Sequence, residues 1–132
     1  MTITGKSQGF PKREHLVSRR TIDKLYTEGH RLRVYPYNIA WIPVDDSDVA
    51  CQLLIVVPKR RFKHAVDRNR MKRLTRECYR KRKESLLQLL GDKRLSIALS
   101  LVYVGNELTP YNELAKRMDK LIARLETEVS AL

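Results

Sequence analysis

The sequence is poor in cysteine: Cys51 and Cys78 are the only two in 132 residues, and neither has a histidine at metal-ligand spacing. That excludes a disulfide-stapled scaffold and argues against a structural zinc site. Both cysteines are expected as reduced thiols in a cytoplasmic protein. Long hydrophobic runs are also missing. The most apolar segments, LLIVV at 53–57 and IALSLVYV at 97–104, fall well short of the roughly 20 residues needed to span a bilayer. The N-terminus carries neither a signal-like apolar core nor a cleavage site, so no membrane partner is expected. Serine and histidine occur without a nucleophile elbow, and His15, His30 and His64 are scattered. No catalytic side chain is therefore expected on the protein. Asp45, Asp46 and Asp48 can in principle hold a cation, but a segment this rich in Asp is read as a turn, and no metal site is assigned.

Negative charge is scarce too. Against 15 Asp and Glu stand 27 Lys and Arg, giving a formal charge of +12 and a pI near 10.0. The excess is local. Residues 59–83, KRRFKHAVDRNRMKRLTRECYRKRK, hold thirteen of the basic side chains and only Asp67 and Glu77 of the acidic ones, a local charge of +11. The rest of the chain is nearly neutral, so the patch is a device for one acidic partner rather than for general solubility.

The periodicities describe one α+β domain, a small sheet with packed helices in the order αββαβα. Residues 1–9 lack periodicity and are read as a disordered N-terminus, with 10–132 as the domain and Phe10 and Leu16 as anchors. A first helix starts at the cap Ser18, carries Ile22, Leu25 and Tyr26 at helical spacing, and stops at Gly29. Residues 34–44 read as a strand limited by Pro36 and Pro43, and residues 49–57 as a strand buried on both faces, the two forming a hairpin about the DDSD turn. A long helix over 66–90 ends at Gly91 and Asp92. A strand follows at 94–104, with Ser96, Ala98 and Ser100 alternating against Ile97, Leu99 and Leu101. After Thr109 and Pro110, the stripe of Leu114, Met118, Leu121, Ile122, Leu125 and Val129 predicts a final helix.

On the central helix Val66, Met71, Leu74, Cys78 and Leu89 are expected to face the sheet. Lys72, Arg73, Arg76, Arg80 and Lys83 form a stripe about 100° wide on the opposite side, with Asn69 in its middle. An ordinary exposed helix alternates its charges, whereas here Lys72, Arg76 and Arg80 follow one another at i,i+4, which is unfavourable unless a polyanion intervenes. Lys59, Arg60, Arg61 and Lys63 extend the patch into the preceding loop. Guanidinium forks suit phosphate oxygens, and Asn69 offers a donor and an acceptor to a base edge or ribose hydroxyl. The pattern points to nucleic acid.

The stretch FKHAVDRNRMKRLTRECYR resembles the signature of the bacterial ribonuclease P protein subunit. There an Ala-Val pair precedes an Arg-Asn-Arg core followed by Lys-Arg, two residues, then Arg-Glu. The matching positions are Ala65, Val66, Arg68, Asn69, Arg70, Lys72, Arg73, Arg76 and Glu77. Many members carry Ser-Lys-Lys before the helix and a Gly two residues before the Ala-Val pair, where this chain has Lys59, Arg60, Arg61 and Lys63. The resemblance, which extends from about Phe10 to the C-terminus, implies a protein that joins a catalytic RNA to remove the 5′ leader from precursor tRNA. It implies Mg²⁺-dependent hydrolysis performed by the RNA, with Mg²⁺ bound mainly there and no further protein partner. It implies a left-handed βαβ crossover, an exception to the usual rule. It also implies that the leader lies between the sheet and the first helix. Ile22 and Tyr26 match positions often aromatic in the family, where Tyr26 can stack on a base and Ile22 cannot, although either can instead be core. Tyr37 and Trp41 are further cleft candidates, with a core position the alternative for Trp41.

Composition alone favours a structural RNA-binding protein of ribosomal type, since such proteins are common, small and basic. A DNA-reading recognition helix ranks lower, because a strand run and not a short helix precedes residue 66.

Overall fold

The computed structural model describes residues 9–45 and 49–132. A 3₁₀ turn (Lys12–Glu14) leads into helix α1 (Arg19–Glu28), strands β1 (His30–Val34), β2 (Tyr37–Val44) and β3 (Cys51–Val56), helices α2 (Ala65–Arg82) and α3 (Glu84–Asp92), strand β4 (Ser96–Tyr103) and helix α4 (Tyr111–Ser130). The expected mixed α+β class and the order αββαβα hold, with one strand more and the central helix interrupted at Lys83.

Four strands form one sheet in the order β1-β2-β4-β3, antiparallel except for the parallel pair β3 and β4. The expected hairpin between β2 and β3 does not form, because β4 lies between them. Burial explains the choice. Every residue from Ile97 to Leu101 is buried, so β4 takes the central place, whereas β3 fully buries only Cys51 and Leu53 and occupies an edge. The strand buried on both faces is thus β4 and not β3. A parallel pair needs a crossover, and α2 with α3 supplies it. The partner β2 does pair in a hairpin is β1, through Tyr35 and Pro36. The DDSD turn falls largely on residues 46–48, outside the described residues, as do residues 1–8 of the expected N-terminal tail. Gly9, assigned to that tail, is described, and its carbonyl accepts from the Lys83 ammonium.

The sheet has two unequal faces. Tyr37, Ile39 and Trp41 of β2, with Ile97, Leu99, Leu101 and Tyr103 of β4, pack against α2, α3 and α4 in the main core. On the other face a smaller cluster of Leu16, Leu25, Ala40, Ile42 and Ala98 is covered by α1, with Ile22 packed on its rim. Helix α1 is too short to cover that whole face.

Local signals explain the helix boundaries. The Ser18 side chain accepts from the Thr21 amide at 3.3 Å, as an N-cap should. Helix α1 ends where the backbone turns extended at Gly29 (ψ 157°), and only glycine fits there, since a Cβ would sit 2.3 Å from the Leu25 carbonyl oxygen. Gly91, by contrast, lies within α3, and the left-handed residue that releases the chain toward β4 is Arg94 (φ 53°). Burial pushes the Cys51 thiol up to about 12, so it stays neutral and inert at physiological pH. Both cysteines are free and buried, and among the described residues no helix is long and apolar enough to cross a membrane.

Candidate nucleic-acid interface

Helix α2 packs against β3, α3 and α4 and buries Met71, Thr75, Cys78 and Tyr79. That inward face differs from the expected one at Val66, which is 76% exposed at the first turn, whereas Leu74 and, past the break at Lys83, Leu89 are partly buried and pack against the core as expected. The opposite face carries Asn69, Arg70 and Arg73, all exposed, flanked by half-buried Lys72, Arg76 and Arg80. Arg80 donates from Nε to Glu77 at 3.0 Å, and this bond, the largest cause, holds the Glu77 carboxyl below its usual range. Lys83 does not belong to the stripe. Its side chain is 1% exposed and pairs with Glu14 at 2.5 Å, because the N-terminal segment around Phe10 and Glu14 covers the flank next to Tyr79.

The loop before α2 presents Lys59, Arg60 and Lys63 to solvent. Two other arginines are partly used within the protein. Arg61 donates to Asn106 Oδ1 at 3.0 Å, and Arg68 reaches back to the carbonyls of Phe62 (2.8 Å) and Lys63 (3.3 Å). Arg68 thereby holds the loop against the first turn of the helix. All eleven basic-patch candidates are thus brought to one loop and one helix.

The second element is a hollow on the α1 face of the sheet. Tyr26 leans from α1 over β4, its hydroxyl 2.7 Å from Ser100 Oγ, and stays partly exposed. Together with Arg31, Asn38, Ala40 and Val102 it lines a hollow of about 140 Å³, which continues over β1 into a second of about 330 Å³ beside Arg31, Arg33 and Asn38. A tyrosine ring, an amide and two guanidinium groups around an open groove suit a single-stranded nucleic acid, which stacks on the ring and sets phosphates on the cations.

Of the four cleft candidates, Tyr26 lies in this hollow and Ile22 packs at its rim. Tyr37 and Trp41 do not belong there. They project from the other face of β2 and are buried at 0% and 1% exposure; Tyr37 hydrogen-bonds Thr75 at 2.6 Å, and the Trp41 indole N–H donates to Glu128 at 2.8 Å. A one-residue step along a strand changes the face, and the residues on the groove side are their neighbours Asn38 and Ala40. Arg31 and Arg33 were not anticipated. Their signal was the alternation in HRLRV, where Leu32 and Val34 point inward.

A family model described as Ribonuclease P matches residues 10–126. The ribonuclease P protein component of Porphyromonas gingivalis is 33% identical over 122 residues, covering 92% of this chain and 89% of the relative. That of Desulforapulum autotrophicum is 33% identical over 118 residues, covering 88% and 95%. The fold is similar to the RNase P protein of Staphylococcus aureus, with TM-score 0.66, 16% identity and coverage of 85% and 94%. It is likewise similar to that of Thermotoga maritima, with TM-score 0.65, 20% identity and coverage of 83% and 96%. The family model over residues 10–126 and the relatives at 33% identity show that the chain belongs to the ribonuclease P protein component family.

Proposed function

We propose that this chain is a cytoplasmic protein that binds the catalytic RNA of ribonuclease P and the 5′ leader of precursor tRNA, and so promotes Mg²⁺-dependent leader removal by the RNA. The observation that carries this reading is the pairing of two different surfaces. One is a convex stripe of Asn69, Arg70 and Arg73, suited to a structured RNA. The other is the groove with Tyr26, suited to a single strand. A scaffold protein of ribosomal type needs only the first.

The protein's part is binding and positioning. Among the described residues no three His, Cys, Asp or Glu side chains gather to hold an ion, and both surfaces are lined by cations that repel a bare divalent metal. These residues do not fit a protein-held Mg²⁺, and in this reading the ions are held by RNA phosphates. By bringing positive charge to the leader, the protein reduces the cation concentration needed to hold two polyanions together.

Mixed with its cognate catalytic RNA, the protein is expected to speed cleavage most at low Mg²⁺. A Mg²⁺ titration with and without protein checks this, and equal rates at every concentration would count against the assignment. Tyr26→Ala should weaken precursor binding by about 10-fold, as loss of one stacked base at 1 to 3 kcal/mol implies, and leave mature tRNA binding unchanged. Tyr26→Phe keeps the ring and loses only the bond to Ser100, so it should bind nearly as wild type. If Phe and Ala are equally impaired, the hydroxyl and not stacking is what matters.

A further inference from the structure

Helix α4 holds four basic and four acidic residues, and the basic ones, Lys116, Arg117, Lys120 and Arg124, gather on one side of it. Each of its four acidic residues is engaged by a neighbour: Glu113 with Arg117 at 3.3 Å, Asp119 with Arg82 at 2.7 Å, Glu126 with Ser85 at 2.6 Å and Glu128 with Trp41 at 2.8 Å. On the outward side Lys116, Lys120 and Arg124 follow at i,i+4, all exposed. Lys116 and Lys120 enter no ion pair among the described residues. Like charges stacked in this way are unfavourable in isolation, as on α2.

The ridge is joined to the groove. Arg124 donates from Nη1 to the Arg33 carbonyl at 2.7 Å, so α4 is tied to strand β1, the edge of the sheet. The side chains of Arg31 and Arg33 alternate onto the groove face, where Arg31 and Asn38 line both hollows. Cationic side chains are therefore found in the groove, at the β1 edge and on the outer side of α4. At 1.5 Å per residue, Lys116 to Arg124 adds about 12 Å to the track.

Direction follows from the sheet. Helix α2 packs against β3, at the opposite edge of the sheet from β1, and also against α4, where Arg82 pairs with Asp119. If the catalytic RNA docks on α2, as the functional reading above holds, the scissile end of the leader lies toward the β3 side. Its 5′ end then leaves across β1. We infer that Lys116, Lys120 and Arg124, with Arg33 at the edge, form a continuation of the leader track that binds phosphates of the 5′-distal leader.

The experiment uses the assembled holoenzyme and two precursor tRNAs with leaders of about 4 and about 16 nucleotides, the span of site sizes common for single-strand binding. Lys116→Glu/Lys120→Glu lies off the apolar stripe, and a melting curve verifies the fold. The variant should lose about 10-fold in affinity for the long leader while the short leader and the catalytic RNA bind as before. The salt slope for the long leader should fall by roughly 1 to 2. An unchanged ratio of long to short affinities overturns the inference. So does an equal loss for both leaders, or weakened assembly, which would assign the ridge to the catalytic RNA. If the unsubstituted holoenzyme itself does not distinguish precursor from mature tRNA, the functional reading fails, and this inference with it.

Discussion

Glu14→Ala is expected to destabilise the protein by about 3–5 kcal/mol, the cost of leaving one member of a buried ion pair without its partner. Its partner Lys83 is 1% exposed on its side chain, and Glu14 is 11% exposed, so water screens neither well. With Glu14 gone, Lys83 keeps, among the described residues, the Gly9 carbonyl and the face of Phe10, whose ring centroid is 5.8 Å away. The buried ammonium is then left without its counter-charge unless the N-terminal segment opens to water. For a domain of this size the melting temperature should drop by roughly 10 °C or more. Lys83→Met alone leaves the carboxylate stranded and should be damaging too, while Glu14→Leu/Lys83→Met, which removes both charges, should recover most of the loss. Urea denaturation of the four proteins forms a double-mutant cycle. Two single variants that each lose under about 1 kcal/mol would mean that the pair is solvated and the N-terminal segment is not a fixed part of the domain.

Lys83 also shows where sequence reasoning stops. A helical wheel ranks positions by angle, and Lys83 falls within the cationic stripe. What buries it is the segment around Phe10 and Glu14, some 70 residues earlier, which a local window cannot place. The same limit produced the wrong hairpin. β2 and β3 are adjacent in sequence, and only the two-sided burial of β4 reveals that it belongs between them. Tyr37 and Trp41 were misplaced for a smaller reason. Their period of two was legible, but which face meets α1 depends on packing that no strand encodes alone. Features set by local chemistry were legible: the Ser18 cap, the stop at Gly29, the apolar stripe of α4 and the exposed side of α2. The alternation in HRLRV was visible as well, yet a five-residue strand directly after a helix stop is easily read as loop.

For the interface with the catalytic RNA, the largest effect is expected from Arg70→Glu/Arg73→Glu. Both side chains are exposed and neither enters an ion pair among the described residues, so reversal should leave the melting temperature nearly unchanged. Two phosphate contacts would become two repulsions. Affinity for the catalytic RNA should fall by about 100-fold or more at physiological salt, and the slope of log affinity against log salt should become shallower by roughly 2. Arg68→Ala makes a less clean test, because its guanidinium also holds the carbonyls of Phe62 and Lys63, and its loss disturbs the loop that presents Lys59 and Arg60. The contrast with the α4 ridge decides what each surface does. Reversal on α2 should weaken assembly for every substrate, whatever its leader, whereas reversal at Lys116 and Lys120 should matter only once the leader is long. If reversal on α2 left assembly intact and instead impaired only long-leader precursors, the two surfaces would have exchanged roles, and the polarity assigned to the leader would be reversed with them.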